Sequence, residues 1–253
     1  MAVSGSGAAE GNTVVDRHSL AHTLDGPMEI VLVRHGQPEW VKDGLNVNDP
    51  PLTERGHRQA RCMAEALRGE QFDEIFCSPM VRARQTAAPL FEVFDRPEEI
   101  DPWLEEIRDP AWHGTPAERA ERMYREERER PSWDRWRGIE GGEHVGEFVA
   151  RIREGCGLFL AERGIEPIPG DLTVWTEPDR DLKIALVAHA GTNAVVICHL
   201  LGLEPTPWEW ERFVINHASI TRIVSMKLGD GITFALSRLS DVEHLDRNGD
   251  RTF

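Results

Sequence analysis

Short, unbroken apolar runs punctuate an otherwise polar chain, and most are followed by a stretch with helical spacing. Glu29-Ile-Val-Leu-Val33 and Ile184-Ala-Leu-Val-Ala188 show no polar alternation, the mark of strands buried on both faces. Glu74-Ile-Phe-Cys77 is a shorter candidate of the same kind. Between them, Ala60, Met63, Ala64 and Leu67 fall on one helical face, with Thr53 placed to cap that helix and Gly69 to end it. Ser78-Pro79 reads as an N-cap and first-turn proline ahead of Ala83, Ala87, Leu90, Phe91 and Phe94, a helix that Pro89 should disturb. The clearest helical stripe is Val145, Phe148, Val149, Ile152, Cys156, Phe159 and Leu160, stopping near Gly164. A further helix is expected from about Thr192 to Leu201. Thr221 to Met226 and Ile232 to Leu236 flank Asp230-Gly231, a hairpin signal. Strands alternating with helices predict an α/β three-layer sandwich, with a mostly parallel central sheet, helices on both faces and an antiparallel element near the end.

The division along the chain follows from composition. Residues 1–27, rich in Gly, Ala, Ser and Thr without a basic start or an apolar core, read as a flexible leader and not a secretory signal. Residues 28–239 form the expected domain, with an intensely charged, least predictable stretch near 107–140, and 240–253 read as a polar, loose tail. Within that stretch, a mixed Arg and Glu helix reads as a solvated face. Trp103, Trp112, Trp133 and Trp136 bracket it and could line a pocket.

Charge and cysteine usage narrow the function classes. Net charge is -15, from 44 acidic and 29 basic residues, which argues against a nucleic-acid or anionic-membrane partner. An anionic small substrate stays allowed, because a pocket answers to its nearest charges. Cys62, Cys77, Cys156 and Cys198 lie far apart with no paired spacing, so they read as reduced core residues of a cytoplasmic protein. No apolar run approaches the roughly 20 residues of a membrane helix.

The candidate chemistry sits where two buried strands end. One runs into Arg34-His35-Gly36 and the other into His189-Ala190-Gly191, and open α/β sheets collect ligands beyond the carboxyl ends of their strands. Arg82 falls in the first turn of the helix after Ser78, and arginine forks match phosphate oxygens. From residue types and spacing alone this is an anion site. A zinc reading of His35 and His189 is disfavoured by the neighbouring arginines. His57, His144, His199 and His217 read as structural.

Five ordered segments extend the picture. Arg34-His35-Gly36 resembles the signature of the histidine phosphatase superfamily, which includes cofactor-dependent phosphoglycerate mutases and broad phosphatases. Asp49-Pro-Pro-Leu-Thr-Glu-Arg-Gly56 with Gln59-Ala60, Cys77-Ser-Pro-Met-Val-Arg-Ala-Arg-Gln-Thr-Ala87, Leu104-Glu105-Glu106-Ile107 and Gly141-Gly142-Glu143 are similar to that family's later motifs, and His189 stands where its second histidine falls. The resemblance implies a phosphoglycerate mutase-like fold in which His35 takes up the phosphoryl group. Arg34, Arg82 and His189 would hold its oxygens, and Glu106 would serve as acid and then base, with Glu105 as the competing acid. It implies no metal and no cofactor. The implied partner is a small phosphorylated metabolite, and a homodimer is allowed for.

Several positions depart from the pattern. Ala190 replaces a glycine after the second histidine, and Pro110 and His113 replace Gly and Glu in the loop bearing the acid. Trp40 is followed by Val41 where the mutases have Asn, and Trp136 splits Arg135 from Arg137 where they have an arginine pair. The last two departures, Val41 and the split arginines, favour a phosphatase over a mutase. A non-catalytic phospho-ligand or protein-binding module is the third reading, and it has no need of a nucleophile and an acid.

Overall fold

The computed structural model describes residues 26–246 and 249–253. Nearly all of the expected leader therefore lies outside the described residues. The central sheet has five strands: β1 (Met28–Arg34), β4 (Glu74–Cys77), β5 (Leu182–Ala188), β6 (Ile220–Lys227) and β7 (Ile232–Asp241). Their order is β4-β5-β1-β6-β7. β4, β5 and β1 are parallel neighbours, β6 is antiparallel to β1, and β7 is antiparallel to β6. Four strands thus share a direction and β6 alone opposes them. The two-residue strands β2 (Val41–Lys42) and β3 (Leu45–Asn46) pair separately.

The period-2 geometry of β1 explains its sequence. Met28, Ile30 and Leu32 enter one apolar cluster, while Val31 and Val33 enter another. The first is covered by α4 (Val145–Ala161) and α5 (Ala190–Leu200), the second by α1 (Glu54–Leu67) and α2 (Val81–Val93). A strand covered on both faces has no solvent side, so it carries no polar alternation. Thr53 caps α1 through Oγ1, which accepts from Gly56 N–H at 3.0 Å.

Three local expectations are corrected. Ser78 does not cap α2. Its cap residue is Met80, with no side-chain hydrogen bond, and Val81 N–H donates instead to Asp49 Oδ1 at 3.1 Å. Ser78 Oγ is engaged by His189 at 2.7 Å. α2 also runs through Pro89 to Val93. The final stretch, expected to be loose, is docked. Val242 and Leu245, the latter in α7 (Glu243–Asp246), pack into the cluster that holds α1 and α2. Asp250 is 3% exposed and accepts from Arg58 Nη2 at 2.9 Å, while Gln59 Nε2 donates to Thr252 Oγ1 at 2.8 Å. Polar residues hold this segment through buried hydrogen bonds, which no hydrophobic pattern registers.

The charged stretch forms α3 (Ala117–Glu129) and a 3-10 turn at Ser132–Arg137. It is clasped to β3 by Asn46 N–H on Thr115 O at 2.8 Å and by Asn46 Nδ2 on Pro116 O at 2.9 Å. A short α6 (Glu209–Arg212) lies across from it, joined by Arg135 Nη2 to Glu211 Oε1 at 2.7 Å. Among the described residues, no helix is long and apolar enough to cross a membrane.

Candidate active site

The parallel register of β1 on β5 sets Arg34 opposite Ala188, so the residues following each strand emerge together. His35 N–H donates to Ala188 O at 2.9 Å, and the rings of His35 and His189 stand 5.2 Å apart. His35 is buried, and its Nδ1 lies 2.8 Å from Gly36 O. A carbonyl can only accept, so Nδ1 carries the proton and Nε2 keeps its lone pair. Gly36 is required by close approach: a Cβ there would stand 2.7 Å from Gly56 O at the start of α1. Gly36 N–H donates to Thr86 Oγ1 at 2.9 Å, and Thr86 Oγ1 donates to Arg82 O at 2.7 Å, tying the β1 end to the turn that carries Arg82.

Arg34 and Arg82 converge on this point. Arg34 Nη1 donates to Ile215 O at 2.5 Å and Nη2 to His217 Nε2 at 3.1 Å, leaving its buried Nε without a protein partner. Arg82 is buried, lies 4.8 Å over the Trp40 ring and reaches Asp49 only at 3.5 Å; its buried Nε also has no partner. Burial, and for Arg34 the neighbouring Arg82, lowers both guanidinium pKa values, that of Arg34 to about 10. Both stay charged at neutral pH. Burial first, then Arg82 and the other nearby cationic groups, holds His35 and His189 well below 6.5, so both imidazoles are neutral.

Glu106 comes from the loop after the 3-10 turn Pro102–Leu104 and lies at the N-terminal end of α5. Gly191 N–H donates to its Oε2 at 2.8 Å, and Ile107 and Thr192 N–H donate to Oε1 at 3.0 and 3.2 Å. Burial raises its pKa against those hydrogen bonds and the arginines, which lower it. Glu105 instead pairs with Arg108 at 2.7 Å, away from the histidines. The loop is held by Arg151. Arg151 donates to Glu105 O at 3.0 Å and Glu106 O at 3.2 Å, while its Nε and Nη2 each reach Glu143 at 2.9 Å. Glu143 thus acts as a strut for the loop, and Pro110 and His113 leave Glu106 in the site.

The structure therefore brings His35, Arg34, Arg82, His189 and Glu106 together, and adds His217. Its ring is 5.5 Å from that of His35, and its Nδ1 lies 3.0 Å from Thr252 Oγ1. Arg34 can only donate to Nε2, so Nδ1 carries the proton and donates to Thr252. Burial first, and then Arg34, depresses its pKa to about 3. His217, read as structural, stands beside the candidate site. It precedes β6, which runs antiparallel to β1 and begins at the end where β1 stops. Asn216, His217 and Thr252 carried no motif that singled them out.

A cavity of about 490 Å³ opens above His35, with Arg34, Arg82 and Glu106 in its wall. Its aromatic lining is Trp40, Tyr124, Trp210 and Phe253, and the four tryptophans bracketing the charged stretch do not contribute. Among the described residues, no group of three or more His, Cys, Asp or Glu side chains is arranged to hold a metal ion.

A family profile described as the histidine phosphatase superfamily, branch 1, matches residues 30–230. Phosphoserine phosphatase 1 of Hydrogenobacter thermophilus is 30% identical over 70% of this chain and 78% of its own length. A probable phosphoglycerate mutase of Yersinia enterocolitica is 28% identical over 87% of this chain and 95% of its own. The solved structure of a mycobacterial glucosyl-3-phosphoglycerate phosphatase with VO3 superposes with a TM-score of 0.64 at 25% identity, covering 85% of this chain and 99% of that one.

Proposed function

We propose that this chain, which belongs to the histidine phosphatase superfamily, hydrolyses a small phosphomonoester through a phosphohistidine on His35, without a metal. The observation that carries this reading is the state of His35: a neutral ring, Nδ1 fixed on Gly36 O, and Nε2 free beside two buried arginines. Nε2 attacks phosphorus as the bond to the leaving oxygen breaks. Arg34, Arg82 and His189 have buried nitrogens without protein partners, and these supply donors for the phosphoryl oxygens, where charge builds in the transition state. If His189 Nδ1 donates, its Nε2 accepts from Ser78 Oγ, consistent with their 2.7 Å separation.

The raised pKa of Glu106 supports its role as the acid. It protonates the departing alkoxide, then as carboxylate takes a proton from the water that breaks the N–P bond and frees inorganic phosphate. Phosphoryl return to a bound product, the chemistry named for the Yersinia relative, is the competing outcome. Arg135, one of the two arginines split by Trp136, is already held by Glu211 through both Nη atoms. Hydrolysis is the reading this favours.

The test is trapping with phosphorus-labelled substrate in EDTA, quenched without acid. Wild type should carry acid-labile label and His35→Ala none. Label kept by the variant, or turnover abolished by EDTA and restored by a divalent ion, would overturn the assignment. Phosphorus NMR of 3-phosphoglycerate with 2,3-bisphosphoglycerate should show negligible 2-phosphoglycerate; its rapid formation would make the chain a mutase.

A further inference from the structure

We propose that the organic group of the substrate is largely apolar, seated in the outer half of the cavity above His35. This rests on the phosphatase reading and specifies its substrate class.

Outside the phosphate-binding floor, most charged side chains of that cavity are already engaged within the protein. Arg108 pairs with Glu105 at 2.7 Å, and Arg135 with Glu211 at 2.7 Å and with Glu127 at 3.9 Å. Glu143 is held by Arg151 at 2.9 Å, and Asp109 accepts from Tyr124 OH at 2.7 Å. Asp109, moreover, has its pKa raised by burial. Arg128 is the exception, an exposed arginine of α3 in the cavity wall that makes no ion pair among the described residues. Away from Arg128, a substrate carboxylate would have to break one of these ion pairs to find a counter-charge, leaving the displaced partner half-buried and unmatched.

The second observation is a group of four among the twelve large hydrophobics exposed in the described residues. Trp40 is 41% exposed, Tyr124 40%, Val214 60% and Phe253 77%, and all four line this one cavity. Ile107 and Ile139 continue the same wall inward. Exposed apolar side chains gathered on one concavity, continuous with a cationic floor, suit a ligand with an anionic head and an apolar body. The volume of about 490 Å³ has room for a ring beside the phosphoryl group.

Four primary alkyl phosphates with leaving alcohols of similar acidity separate binding of the organic group from chemistry: 2-phenylethyl phosphate, ethyl phosphate, phosphoserine and 3-phosphoglycerate. The first should exceed each of the others in kcat/KM by at least about tenfold, the worth of burying one aromatic side chain. Phosphoserine or 3-phosphoglycerate turned over as well as 2-phenylethyl phosphate would overturn the proposal while leaving the phosphatase reading intact. Val214→Asp should shrink the ratio of phenylethyl to ethyl phosphate at least about fivefold; an unchanged ratio also counts against it. Calorimetry with 2-phenylethylphosphonate and ethylphosphonate gives the same comparison without turnover. Tighter binding of the aromatic phosphonate with no hydrolysis of any ester would sink the phosphatase reading and sustain this one.

Discussion

Glu106 and Gly191 fit so closely that a Cβ built at residue 191 would stand 2.5 Å from Glu106 Oε1, while Gly191 N–H holds Oε2 at 2.8 Å. The first turn of α5 is therefore a socket for one carboxylate, open only because residue 191 has no side chain. Gly191→Ala should keep the fold yet push Glu106 out of place. Turnover of alkyl phosphates should fall at least about tenfold, with a smaller loss on 4-nitrophenyl phosphate, whose leaving group needs little protonation. Equal losses on both would mean the glycine serves packing alone.

The same reasoning separates the two adjacent glutamates. Glu106→Gln should slow alkyl phosphates by about 100-fold, the lower range for a lost general acid, and aryl phosphates far less. Glu105→Gln loses an ion pair with Arg108, half-exposed, and should change either rate less than about threefold. A stronger effect from Glu105 would reverse the roles proposed.

Thr252 reaches the proposed reaction centre through His217 and Arg34, at 3.0 and 3.1 Å along the line. Thr252→Val removes the acceptor that fixes the His217 tautomer without removing bulk. Arg34 then loses a defined partner, and kcat should fall about tenfold with KM little changed, because the arginine is asked to act most in the transition state. Thr252→Ser should restore the wild-type rate. A rate unaffected by Val would confine Thr252 to docking the segment.

Acid should unfold the protein sooner than its carboxylates alone would dictate. His35, His189 and His217 have folded pKa values depressed below 6.5, chiefly by burial, so the unfolded chain takes up protons that the folded one refuses. Their contribution is fully present above pH 6.5 and is lost as pH falls below it. Urea titrations should find the protein less stable at pH 5.5 than at pH 7.5, with His217 alone contributing about 1 kcal/mol. Identical stabilities would show these imidazoles protonated in the folded state.

Much of this site was legible in the chain because it lies at the ends of apolar runs. His35 and His189 follow the two most continuous strands, and parallel pairing brings strand ends together without further information. Glu106 was different. Its placement came from resemblance, since a glutamate in an irregular loop carries no periodic signal, and its anchors, Arg151 and Gly191, lie far along the sequence. His217 and Thr252 were missed for a related reason: each is defined by a hydrogen bond to a residue distant in sequence. Ser78 shows the opposite error. A serine before proline satisfies the local rule for a helix cap, yet its hydroxyl is held by His189 in a tertiary contact that overrides the local preference.

The strand order has a consequence for how activity is acquired. β1 is made first yet sits between β5 and β6, so Arg34 and His35 wait for partners about 150 or more residues away before their backbones are paired. Local helices such as α1 and α4 can form well before those closures. During refolding from denaturant, the helical signal in circular dichroism should recover ahead of phosphate release, with catalysis returning only as the sheet closes on its first strand. Turnover in this chain is then a clock for the last long-range step of folding.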